Sequence, residues 1–233
     1  MKIAIMQPYF FPYLGYFQLI NAADKFVIHD DVQYIKGGWI NKNRILLNNS
    51  SYNIGIPIRK DSARKKINER HFIDDSAKFK IKLLRQIENA YKKAPFFEEI
   101  FPFVSRLLSF AESNVSKFNT WGLSELCGLL KITTPFYLSS EIDKQNDFSG
   151  EERVININQI MGSRVYINPA GGVKLYNKEY FLKTGVELKF LITENYYYKQ
   201  FGIEFITDLS IIDILMFNSI ESANKLLNKY YLE

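Results

Sequence analysis

Cysteine and histidine are nearly missing from this 233-residue chain: Cys127 stands alone, and His29 and His71 are the only imidazoles. One cysteine excludes an internal disulfide, and two separated histidines cannot build a Cys/His cluster at metal-ligand spacing, so no metal is expected and a zinc enzyme is excluded. Long apolar runs are absent as well. Nothing resembles the stretch of about 18 apolar residues that spans a bilayer. The opening MKIAIMQPYFFPYLGYF lacks a basic n-region and an uninterrupted apolar stretch, and Pro8 and Pro12 break any helix there. The expectation is a cytoplasmic protein with no membrane span. Gly/Ser linkers, low-complexity tracts and internal repeats are also lacking, so one domain is expected over residues 1–233.

What the chain does have is aromatic surface. Phe, Tyr and Trp make up 15% of it, while 47% hydrophobic residues, 24% charged residues and a mean hydropathy of −0.16 are ordinary for a globular protein. The net charge of +5 is unevenly spread: residues 36–93 hold 15 Lys/Arg against 5 Asp/Glu, and the remainder 15 against 20. Such a region suits the phosphates of a nucleotide or coenzyme, anionic lipid or nucleic acid. For the run KFKIKLLRQIENAYKK, a solvated helix face is the plainer explanation.

Periodicity gives the order of elements. KIAIM reads as a strand, LGYFQLINAADK as a short helix and KFVIHDDVQY as a second strand, a βαβ unit with parallel strands. RILLNNSSYNIGIPI, ending at Ile58, reads as a hairpin around NNSS, with Pro57 marking an edge. Helical spacing recurs over 76–93, 98–112 and 116–131. TPFYLSS then reads as a strand, 140–149 as a polar loop, 150–161 as a helix, RVYIN as a strand, 177–184 as a helix and VELKFLI as a strand. Two helices follow from Ser210. The fold class is α/β: a Rossmann-like βαβ start with a mostly parallel sheet, a β-hairpin and a helical insertion at about 76–131.

In an open parallel sheet the ligand crevice lies at the carboxyl ends of the strands. QPYFFPYLGYF (7–17) and HDDVQY (29–34) would meet there. Gln7 offers a donor and an acceptor, Tyr9 a stacking ring and Gly15 a close approach, and the helix starting near Leu14 offers free N–H groups to a phosphate or carboxylate. The plainer alternative is an aromatic loop that plugs the sheet end. His29, Asp30 and Asp31 set an imidazole beside carboxylates. On a strand His29 and Asp31 share a face, and a histidine oriented by a carboxylate suits general-base work. KGGWINKNRI gathers Trp39, Asn41, Lys42, Asn43 and Arg44: an indole to stack a base or sugar, and amides and cations to grip phosphates, with Gly37 and Gly38 allowing close approach. Gln33, Gly171 and Gly172 complete the candidate binding set, although NPAGG at 168–172 carries no P-loop or dinucleotide signature. His71 reads as a loop residue, and Cys127, among Leu123, Leu126 and Leu130, as a buried structural thiol.

Together, QPYFFPYLGYF, DKFVIHDDVQY, KGGWINKNRI, AYKKAPFFEEI, YINPAGG with the following Tyr176, and SIIDILMFNS resemble the WbqC-like protein family of bacterial polysaccharide gene clusters over nearly the whole chain. The resemblance implies a cytoplasmic enzyme of O-antigen (lipopolysaccharide) or capsule assembly, since members are associated with transfer of an amino acid or acyl group onto an amino sugar. The positions it carries over are Gln7, Pro8, Gly15, Asp31, Gln33, Trp39, Asn41, Asn43, Arg44, Gly171, Gly172 and Asp213. Two departures stand out. The family usually has an aliphatic residue where this chain has His29, and commonly Ser-Gly where Asn168 and Pro169 stand.

The expected function is N-acyl or aminoacyl transfer to a nucleotide-linked amino sugar. Lys42 and Arg44 would clamp the diphosphate, Trp39 or Tyr9 would stack, and a carboxylate at Asp30 or Asp31, in preference to the His29 imidazole, would take the ammonium proton. The donor is a coenzyme A thioester (acyl-CoA), a carrier-protein thioester or an activated amino acid, and the residues do not choose among them. No nucleic acid partner is expected, and a homo-oligomer is compatible with the sequence. The alternatives are a non-catalytic carbohydrate or nucleotide-sugar binding protein, and a nucleotidyltransferase-like enzyme. Gln7, Asp31, Trp39 and Arg44 are expected to line one pocket.

Overall fold

A computed structural model describes residues 1–145 and 147–233; position 146, inside the loop read over 140–149, lies outside the described residues. In chain order the first half comprises β1 (Lys2–Met6), α1 (Leu14–Ala22), β2 (Lys25–Ile28), β3 (Lys42–Leu47), β4 (Ser50–Gly55), α2 (Ser76–Tyr91), α3 (Phe97–Ser109) and α4 (Val115–Leu129). The second half comprises β5 (Phe136–Leu138), α5 (Gly150–Ile160), β6 (Val165–Pro169), α6 (Lys178–Lys183), β7 (Glu187–Thr193), α7 (Ile211–Phe217), α8 (Ile220–Leu226) and β8 (Tyr230–Leu232).

Ile3, Ala4 and Ile5 of β1 are all buried, as a parallel strand covered on both faces requires. β1 is central in a six-stranded sheet of order β5-β2-β1-β6-β7-β8, in which only β8 runs antiparallel. The chain travels outward from β1 through β2 to β5 and then returns to the far side of β1 at β6. Strand order thus reverses between β1 and β6, the position where α/β sheets open a ligand crevice at their carboxyl ends. Alternation divides the core. Ala4, Phe26, Ile28 and Ile167 face α1, the inserted helices and the α7–α8 pair, whereas Ile3, Ile5, Val27 and Tyr166 face α5 and α6. Among the described residues, no helix is long and apolar enough to cross a membrane.

The inserted hairpin pairs β3 with β4 and stays apart from the main sheet. Asn48 and Asn49 form its tip with φ of 52° and 56°, the left-handed pair that a two-residue turn needs and that asparagine tolerates. Pro57 falls just beyond β4. Two expectations change. β8 was not anticipated from three residues at the sheet edge. The second strand stops at Ile28 instead of running to Tyr34, because residues 30–34 leave the sheet and pair with 65–68. Asn68 N–H donates to Asp30 O (2.9 Å), Ile67 N–H to Val32 O (2.9 Å) and Tyr34 N–H to Lys65 O (3.1 Å), with a bridge between Gln33 and Lys66.

Candidate functional site: a charge-divided trench beside the sheet

The turn from β1 to α1 is packed shut. Phe10 and Phe11 are buried, Phe11 in a left-handed conformation with φ of 43°. The loop carbonyls are claimed by amides: Asn43 Nδ2 donates to Phe10 O (3.0 Å) and Phe11 O (2.8 Å), and Asn119 Nδ2 to Pro8 O (2.8 Å) and Ile40 O (2.7 Å). Tyr16 Oη donates to Gln7 O (2.7 Å), and the Tyr9 ring lies 5.5 Å from that of Tyr16. A Cβ on Gly15 would come within 2.7 Å of the Tyr13 ring and 3.1 Å of Thr193 Oγ1, so the glycine serves helix packing. The expected close approach of a phosphate at Gly15 is corrected here, since the start of α1 is buried beneath an aromatic plug, while Gln7 and Tyr9 stay half-buried at its margin.

Asn41 and Asn43 are corrected likewise, from ligand grips to scaffold. Asn41 Nδ2 donates to Ile56 O (2.9 Å) while its Oδ1 accepts from Tyr34 Oη (3.0 Å), and Asn43 holds the plug. Arg44 lies over the Trp39 ring at 5.4 Å, and its Nη2 donates to Asp208 O (3.1 Å). Trp39 meets Arg44 and through its carbonyl accepts from Phe10 N–H (2.9 Å), Arg44 also holds segment 208–210, and Asp31 has other partners. The structure does not bring Gln7, Asp31, Trp39 and Arg44 together as one lining.

At the end of β2 the chemistry is ionic. Asp30 accepts from Ser140 N–H (2.9 Å), Ser140 Oγ (2.7 Å) and Asn68 Nδ2 (3.2 Å), which ties β2 to the segment after β5 and occupies its carboxylate. Asp31 pairs with Lys144 at 2.7 Å and with Arg153, three side chains 7%, 2% and 10% exposed. Burial alone would raise the Asp31 carboxyl, but the Lys144 hydrogen bond and the charges of Lys144 and Arg153 outweigh it and hold it below its ordinary value. Burial drives His29 down to about 4; Asp31 opposes this, and Arg153 and Lys144 add to it. The imidazole is neutral near pH 7. The neutral His29 is a weak base, the Asp31 carboxylate is held by its two cations, and the Asp30 carboxylate is engaged by Ser140 and Asn68.

His29 N–H donates to Met6 O (2.9 Å), so Gln7 follows directly beside it at the carboxyl edge, on the α5 face by alternation. His29 Nε2, Asp31 Oδ1 and Arg153 Nε are buried without a hydrogen-bond partner among the described residues, three open valences in one cluster. The sequence reading missed Lys144 and Arg153. One sits in a polar loop and the other follows two glutamates at the start of α5, and no local pattern ties either to Asp31.

Outward from this cluster the 30–34/65–68 ribbon forms a wall between cavities of opposite charge. A groove of ≈ 870 Å³ is lined by Gln33, Asn41, Lys36, Lys42, Arg59, Lys60 and Arg70, with Asp61 the one carboxylate. Asp61 is already paired with Lys65 (2.5 Å). Arg70 is 5% exposed, donates to Ser62 O (2.7 Å), stacks 4.8 Å over Tyr34 and keeps Nε unpartnered among the described residues. On the other side, a cleft of ≈ 510 Å³ is lined by Asp31, Glu69, Glu141 and Asp143 against Lys66 and Lys144. It shares Asn68, Glu69, Ser140 and Glu141 with a chamber of ≈ 700 Å³ that adds Asp30, Trp121, Phe136 and the hydroxyls of Ser116, Thr120 and Ser124. The groove on one side of the ribbon attracts anions; the cleft and chamber on the other side are acidic, hydroxylated and floored by aromatic rings, and the two sides share no lining residue.

The remaining candidates are structural in their contacts. Gly172 follows β6, where a Cβ would meet Asn168 Nδ2 at 1.7 Å, and Gly171 beside it is exposed. Asp213 is fully buried and accepts from Tyr91 Oη (2.7 Å), Tyr198 Oη (2.6 Å) and Gln200 Nε2 (2.8 Å), while Tyr91 Oη also accepts from Leu46 N–H (2.9 Å). It anchors α7 to the hairpin. Cys127 is buried, and that burial pushes its thiol up to about 12, unsuited to a nucleophile.

Fold and site define a doubly wound α/β protein whose nucleotide-type turn is filled by aromatics and whose polar cavities lie one strand further out. The chain belongs to the WbqC-like protein family, whose model matches residues 7–225. It is similar to the uncharacterized protein Rv1507c of Mycobacterium tuberculosis, 29% identical over 217 residues that cover 92% of each chain. No solved structure matches the chain significantly.

Proposed function

We propose that this protein is a cytoplasmic transferase of surface-polysaccharide assembly that N-acylates or aminoacylates a nucleotide-linked amino sugar. The observation that carries the reading is the pairing of a cationic groove with an acidic chamber on the two sides of the 30–34/65–68 ribbon. The cationic groove, with Lys42 and Lys60, suits a diphosphate, and the acidic chamber with Trp121 and Phe136 suits a sugar ring bearing an ammonium group. Glu69 or Glu141, which line both acidic cavities, would take the ammonium proton. The freed amine would attack the donor carbonyl, forming the amide as the donor's thiolate or other leaving group departs.

The test is calorimetric titration with a uridine diphosphate-linked amino sugar, its N-acetylated form and uridine diphosphate alone, followed by a product assay with an acyl thioester. Tighter binding of the free amine than of the N-acetyl form, with turnover, is expected. Equal affinity for the two would sink the amine assignment. A non-catalytic nucleotide-sugar binding role is favoured by one observation, the engagement of the Asp30 carboxylate by Ser140 and Asn68 and of the Asp31 carboxylate by Lys144 and Arg153. Binding without turnover with any thioester or aminoacyl donor would select it.

A further inference from the structure

Helix α2 carries two apolar stripes. Leu83, Ile87, Ala90 and Tyr91 are buried in the core, while Ala77, Ile81 and Leu84, spaced at one helical face, line an open groove of ≈ 420 Å³ closed on its other side by Leu108 and Phe110. Ile81 is 54% exposed on its lip. A lysine of the run expected to be a solvated face has turned into this groove. Lys80 lies 4.4 Å from the Phe118 ring and donates to Phe110 O (2.6 Å), and no carboxylate of the described residues comes within ion-pair distance of it. Glu112 lines the same groove and favours the Lys80 charge against the burial that lowers it, while its carboxylate accepts from Asn114 N–H (2.7 Å) and makes no ion pair with Lys80. An ammonium group with no paired anion at the base of an apolar groove is complementary to a chain ending in an anion.

We propose that this groove binds an aliphatic carboxylate, its chain along Ala77, Ile81 and Leu84 and its head at Lys80. The inference is independent of the transferase reading. The two sites nevertheless touch: Phe110 of the groove stacks at 4.0 Å on Trp121 of the acidic chamber, so a chain seated on one presses against the wall of the other.

The test is calorimetry of the full chain with octanoate, octanol and octylamine. Octanoate should bind saturably and tighter than octanol, and octylamine should bind weakest. Lys80→Met should cost octanoate about tenfold or more and leave octanol within about threefold. Because Lys80 also holds Phe110, Ile81→Asp is the second variant; its side chain is half exposed, so folding should survive while octanoate is repelled. The inference is overturned if octylamine matches octanoate, if both variants keep wild-type octanoate affinity, if no saturable binding is seen, or if sedimentation shows a dimer that Ile81→Asp dissolves.

Discussion

The loops that leave β1 and β2 start side by side at the same sheet edge, and they have opposite fates. After β1, prolines and phenylalanines fold inward and Asn43 and Asn119 saturate their carbonyls, so the loop behaves as core. After β2 come a neutral histidine, a clamped carboxylate and a buried ion triad, and the chain then departs to wall a trench. A doubly wound sheet therefore supplies an edge at which ligands can bind, while side chains decide which loop is filled and which stays open.

That contrast can be broken by mutation. The largest effect is expected at Asp31. Asp31→Ala leaves Lys144 and Arg153 buried and uncompensated, and urea unfolding should show a loss of about 3–5 kcal/mol. A loss below about 1 kcal/mol would mean that the triad is solvated. Next is Asn43→Ala, which strands the Phe10 and Phe11 carbonyls at about 1–3 kcal/mol each, yet should leave nucleotide-sugar affinity unchanged if the plug is scaffold alone.

The pH response comes third. His29 is held neutral, with its folded value near 4 against an ordinary 6.5, so the unfolded chain binds a proton that the folded chain refuses. Its contribution is fully present above about pH 6.5 and is lost toward pH 4 at about 1.4 kcal/mol per pH unit. His29→Leu should lose that slope, so the wild-type-minus-variant difference in unfolding free energy should rise by it between about pH 4 and pH 6.5. If the transferase reading holds, the same variant should keep turnover within about tenfold, whereas loss of an essential base would cost roughly 10²–10⁴. The smallest effect is expected at exposed Lys60, where Lys60→Ala should weaken uridine diphosphate binding by about 1 kcal/mol or less, and less again in added salt.

Much of the fold was legible because it is local. The apolar run KIAIM with its β-branched Ile3 and Ile5, helical spacing from Ser76 to Leu129, and the Asn48–Asn49 turn each identify an element within its own span. The family was legible from motifs. The site was only half legible. Gln33, Lys42 and the acidic pair at 30–31 do line the trench, but Asp31 finds Arg153 122 residues away, and Tyr91 finds Asp213 at the same separation. No periodicity encodes such pairs. Asn41 and Asn43 misled for a related reason: an amide beside cations looks like a ligand grip until the loop carbonyls that need it come into view.

The sheet partners β2 and β5 are joined through an excursion from His29 to Pro135 that holds most of the trench. Nearly half the chain must be arranged before the β2 edge is closed, a high-contact-order step that slows folding even though the entropy of closing so long a loop grows only logarithmically. Any ligand of the trench then favours the completed sheet by mass action. If the proposed function holds, a nucleotide sugar present during refolding should raise the yield of the whole molecule, so the occupied trench would act as a fold-assistance site for the sheet it borders.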